Sequence, residues 1–61
     1  MEFWIARDRN NDLFCYYNKP KKLDYSFGGA QSAILARTLF PEVTFENSPQ
    51  KVEIKLVEDK L

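Results

Sequence analysis

Two runs near the start of the chain, EFWIAR and LFCYY, flank the polar stretch DRNND and carry apolar side chains on both faces of any strand they form. Successive side chains in extended backbone alternate, so Phe3 and Ile5 point one way while Trp4 and Ala6 point the other. The aromatic content of both runs favours strand. Asn10, Asn11 and Asp12 tolerate the positive φ angles of a tight turn. Residues 3–7 and 13–17 are therefore expected to form an antiparallel hairpin. Because it is apolar on both sides, the rest of the chain must cover at least part of its second face.

Little chain is left to do so. Sixty-one residues make one domain, 1–61, and a chain of that size buries only about 60% of its unfolded surface. Its nine aromatics (five Phe, three Tyr, one Trp) make so small a core feasible, since each carries a large burial term. Pro20 ends the second strand, and Lys19-Pro20-Lys21-Lys22 reads as an exposed connection. Leu23, Tyr25 and Phe27 alternate with Asp24 and Ser26, the period of a half-buried strand, and Gly28-Gly29 forms a break.

Residues 30–40, AQSAILARTLF, are ambiguous. Propensity favours helix up to Pro41, yet eleven residues form only a marginal helix without packing, and Ile34-Leu35 reads equally as a short buried strand. Pro41 pushes Phe40 out of the helical region. Val43 and Phe45 then alternate with Thr44 and Glu46 in an extended connector that buries two side chains. Asn47, Ser48 and Pro49 supply a turn. Beyond it KVEIKLV is the clearest strand signal, with Val52, Ile54 and Leu56 on one face and Lys51, Glu53 and Lys55 on the other.

The C-terminal stretch resembles short uncharacterised proteins of Bacteroidota and their phages or mobile elements. These end in Leu-Phe-Pro-Glu-Val, a Thr or Lys, an aromatic, acidic residues, a Pro and then Val-Glu-Leu or Val-Glu-Ile. The matching residues are Leu39 to Val43, Thr44, Phe45, Glu46, Pro49 and Val52-Glu53-Ile54, with Phe45 where Trp is common. The hairpin exit Tyr17-Asn18-Lys19-Pro20 is similar too. The resemblance implies a short strand near residues 33–35 and one helical turn near residues 38–40, and it brings no established activity and no site. The expected fold is mainly β, a small α+β domain. It is an antiparallel sheet of three to four strands with one short helix or helical turn before Pro41.

Enzymatic signatures are absent from the sequence. With one cysteine and no histidine, an intramolecular disulfide, the common zinc clusters and a His-paired nucleophile are excluded. Cys15 lies in an apolar run and reads as a small core residue. SFGGAQS lacks the lysine and spacing of a phosphate loop. Glu42, Glu46 and Glu53 read as outward-facing charges. So small a chain is expected to lack room for a ligand pocket of some hundreds of cubic ångströms. No catalytic residue, metal ligand or cofactor is expected.

No apolar run approaches the roughly 18 residues of a membrane span, and the start at Glu2 is unlike a signal peptide, so a cytoplasmic protein is expected. Net charge is zero, with six Lys/Arg against four Asp/Glu in residues 1–38 and three against five thereafter. The basic and aromatic candidates for a binding surface are Trp4, Arg7, Arg9, Tyr16, Lys19, Lys21 and Lys22. Such a surface could anchor a protein partner, the first expectation, or stack the bases of a nucleic acid, the second. The plain alternative is that Tyr16 and Tyr17 split between faces while the lysines keep a loop soluble. An unpaired sheet edge leaves a homodimer open.

Overall fold

The computed structural model describes residues 2–54. Strands β1 (Glu2–Arg7) and β2 (Leu13–Tyr16) form the expected hairpin, with Trp4 opposite Tyr16 and Arg7 opposite Leu13. Its turn closes through Asp8 N–H to Asp12 C=O at 2.8 Å and Asn11 N–H to Asp8 C=O at 3.0 Å. Asn11 takes φ 80°, a left-handed conformation that asparagine adopts more readily than most side chains.

Four further strands follow: β3 (Lys21–Lys22), β4 (Phe27–Gly28), β5 (Gln31–Leu35) and β6 (Gln50–Glu53). They complete an antiparallel four-stranded sheet in the order β5-β2-β1-β6, beside a separate two-stranded ribbon, β3-β4. The protein is mainly β.

The sheet is covered on both sides. On the face of Ile5 and Leu13 lie Val43 and the half-buried Phe3, Leu35 and Val52. On the opposite face Ala6 and Tyr16 pack with Phe27 and Phe45, flanked by Trp4 and Phe14. The segment 36–49 therefore serves both sides, with Val43 on one and Phe45 on the other, and β4 adds Phe27 to the second. Cys15 is half-buried with a free thiol.

Several expectations are corrected. No helix occurs among the described residues. Of the two readings left open for residues 30–40, strand holds over residues 31–35, because the outer edge of β2 offers backbone partners and Leu35 has a cluster to join, whereas a short helix there would have lost both. The expected helical turn before Pro41 is a turn closed by Leu39 N–H to Ala36 C=O at 3.0 Å. The proposed strand over residues 23–27 is instead a bend, closed by Leu23 N–H to Ser26 C=O at 2.9 Å, and leaves Leu23 and Tyr25 exposed. The supposed connection before it contains a buried proline, Pro20, and Lys21-Lys22 pairs with Phe27-Gly28. β6 begins two residues before Val52, pairs Val52 with Phe3, and ends at Glu53. Ile54 is exposed, and the expected continuation over residues 55 and 56 lies outside the described residues.

Phe40 adopts φ 48°, a region that costs a residue with a Cβ about 1–2 kcal/mol. Its side chain is 37% exposed, and alanine and glycine both remove it, so comparing those two variants measures the strain apart from packing. Phe40→Gly should melt higher than Phe40→Ala, by up to about 1 kcal/mol once the extra unfolded-state entropy of glycine is subtracted. The reverse order in a thermal melt would show that the backbone here is unstrained.

Candidate functional site

Arg7, which the sequence reading placed on the surface, is buried, with 5% exposure. Its position follows from alternation, since it shares the face of Phe3 and Ile5. All five N–H groups of the guanidinium donate to backbone carbonyls. Nε reaches Val43 C=O at 2.6 Å, Nη1 reaches those of Asn11 at 2.9 Å and Arg37 at 3.1 Å, and Nη2 reaches those of Leu39 at 2.8 Å and Phe40 at 3.2 Å. The backbone N–H of Arg7 also donates to Ser48 Oγ at 3.0 Å. Arg7 thus ties the start and the end of the connector to β1, and its donors are saturated by the chain itself. It is a structural residue with nothing left for a ligand.

Tyr16 is likewise fully buried. Its hydroxyl has no hydrogen-bond partner, Gln31 approaching it without completing a bond, and burial is the main cause that pushes its ionisation above the usual phenol range. Beside it, Asp8 Oδ1 is also buried without a partner. Burial first, and the nearby Asp12 second, raise the Asp8 carboxyl above its ordinary value, while the Phe27 backbone amide acts in the opposite sense.

The other candidates do reach the surface, but most are engaged. Arg9 donates Nε–H to Asp24 C=O at 2.8 Å, and its guanidinium carbon lies 4.3 Å from the Phe45 ring centre and 5.8 Å from that of Tyr25. Lys22 Nζ sits 4.5 Å from the Phe45 ring centre and donates to Glu46 C=O at 3.2 Å. Trp4 is half-buried, with Lys19 Nζ at 5.4 Å and Lys51 Nζ at 6.0 Å from its ring. Lys51 also pairs with Glu2 at 2.6 Å. Lys21 is exposed on β3. Cations held over aromatic faces each contribute about 0.5–1 kcal/mol at exposed sites, so they cap the aromatic cluster rather than wait for phosphate.

Alternation along the chain did not reveal three exposed side chains that lie close together in the sequence. Tyr17 is 66% exposed, Leu23 47% and Tyr25 74%. Tyr17 follows the end of β2, and Leu23 and Tyr25 lie in the bend between β3 and β4, where strand periodicity no longer applies. The signal that could have found Leu23 and Tyr25 was the bend itself, since side chains inside a tight turn have no sheet face to pack on.

A groove of about 470 Å³ opens between the β1–β2 turn and the connector, contrary to the expectation that so small a chain has no room for one. Arg9, Arg37, Thr44 and Glu46 are among its lining residues, with Arg7 and Phe45. Arg37 is held by Asp12 at 2.7 Å, and Thr44 Oγ1 accepts the Asn47 N–H at 3.2 Å. The groove presents charges of both signs. Among the described residues no helix is long and apolar enough to cross a membrane. Compared with known proteins, the chain matches no protein-family profile, no curated protein and no solved structure.

Proposed function

We propose that this is a small, non-enzymatic binding and regulatory protein that engages a protein partner through residues 17–25. The observation that carries this reading is the exposure of Tyr17, Leu23 and Tyr25 within nine residues of chain, among Lys19, Lys21 and Lys22. Tyrosine and arginine anchors ringed by polar groups are the usual source of binding energy at protein interfaces. The cations nearby are mostly spent on the protein's own rings and carbonyls, and net charge is zero, which weakens the case for a phosphate backbone as the ligand. The sequence resemblance to proteins of Bacteroidota phages and mobile elements adds a setting. A protein of that origin would act in the host cytoplasm, on a host protein such as a defence nuclease.

A nucleic acid is the second reading, favoured by the exposed rings of Tyr17 and Tyr25 in the same stretch as the exposed Lys21, since bases stack on such rings. Pull-down from the source cells with and without nuclease separates the two. A partner retained after nuclease, and lost with Tyr17→Ser plus Tyr25→Ser, supports the protein reading. Binding to RNA or DNA at low salt, with a salt dependence that falls when Lys19, Lys21 and Lys22 become Ala, would replace it by the second.

A further inference from the structure

The free edge of β5 differs in kind from the surface just described. Among the described residues nothing pairs with its outer side. From Ala30 to Ala36 it carries no charge and no proline, two of the devices by which natural edge strands repel other strands. Its one irregularity, an extra residue at Ser32 opposite the Cys15-Tyr16 step of β2, lies to one side of Ile34. The register also fixes which backbone groups face outward. Asp8 N–H to Asp12 C=O marks a hydrogen-bonded pair at the mouth of the hairpin, and such pairs alternate along an antiparallel ladder. Phe14 therefore directs its backbone groups toward β1, Leu13 and Cys15 direct theirs toward β5, and Leu35 and Ala33 answer them. Ile34, opposite Phe14, is left with its N–H and C=O pointing away from the sheet. Its side chain is 68% exposed.

We propose that the β5 edge pairs antiparallel with the same edge of a second copy of this chain, in a register centred on Ile34. A twofold axis there lets each Ile34 N–H donate to the other copy's Ile34 carbonyl. It also sets the two Ile34 side chains against one another on one face, and Leu35 beside Ala33 of the second copy on the other. Charge selects the occupant. A twofold interface brings every group near its own copy, and this edge has no charge to repel its twin. The nearest cation, Arg37, is already paired with Asp12 and would lie opposite the uncharged Gln31 of the second copy. A strand rich in charge would find no counter-charge on so neutral an edge. One strand pair buries less than a standard interface, so the dimer is weak and depends on concentration.

Sedimentation equilibrium from about micromolar to about millimolar chain concentration tests this. The expected result is an apparent mass that climbs from one chain toward two. Ile34→Lys, which places like charges directly across the axis, should stay at one chain throughout. A synthetic chain with N-methylated Ile34, which keeps the side chain but removes the outward donor, should do the same. Both variants should melt like the parent, since neither changes touches the β2 side of the strand. A parent that remains a single chain at the highest concentration would overturn the proposal. So would a dimer that persists in both folded variants, because a different surface would then hold it. Neither outcome bears on residues 17–25.

Discussion

Arg7→Met is expected to leave the chain largely unfolded at room temperature. The substitution keeps a long apolar stem and removes all five donors, so the carbonyls of Asn11, Arg37, Leu39, Phe40 and Val43 lose their shared partner at once. Hydrogen bonds to a charged group contribute about 1.5–3 kcal/mol each, so losing several together matches the roughly 3–5 kcal/mol that a core of this size supplies in total. Arg7→Lys should fail nearly as badly. A lysine retains the charge but offers three donors from one point, where the carbonyls converge on a planar fork. Urea denaturation followed by circular dichroism measures both. An Arg7→Met variant with the parent's midpoint would mean that the connector is held by Val43, Phe45 and Ser48 alone.

The second large effect is at Phe45, which is buried between Ala6, Tyr16 and Phe27. Its ring centre is 5.5 Å from that of Phe27, tilted by 55°, with Arg9 and Lys22 over it. Phe45→Ala should destabilise the fold by about 3–5 kcal/mol, again most of what is available. Phe45→Leu retains much of the buried area and loses the ring contacts, and so should fall between. Thr44→Ala, one position away and exposed, gives up a single hydrogen bond to the Asn47 N–H and should cost no more than about 1 kcal/mol. Equal melting temperatures for Phe45→Ala and the parent would place the ring outside the core.

The candidate surface is half legible in the sequence. The basic and aromatic character of residues 16–22 is plain in the sequence, and Lys19, Lys21 and Lys22 are indeed exposed. Tyr16 and Arg7 were assigned to that surface by composition, although position argued otherwise. Arg7 continues the inward series Phe3, Ile5, and Tyr16 faces Trp4 across the hairpin. Alternation was therefore a better guide to these two residues than chemical type. Trp4 lies between the alternatives, packed against the aromatic cluster on one side and capped by two lysines.

What the sequence determined by itself is the β1–β2 hairpin and the partnership of Val52 with the inward face. Both rest on local physics, the two-residue period of side chains and the tolerance of Asn11 for positive φ. It also determined that Val43 and Phe45 are buried, since a proline-bounded stretch with alternating apolar residues has few other uses. Only the tertiary structure decided that residues 31–35 are strand. Their alanine and leucine carry a mild helical preference, worth tenths of a kcal/mol per residue, and the open edge of β2 outweighs it by supplying a hydrogen-bonded ladder. Nor could any local window show the role of Arg7, because four of its five carbonyls lie 30 or more residues away in the chain. A buried guanidinium is stable only where many acceptors converge, and that convergence exists only once the connector has wrapped around the end of the sheet.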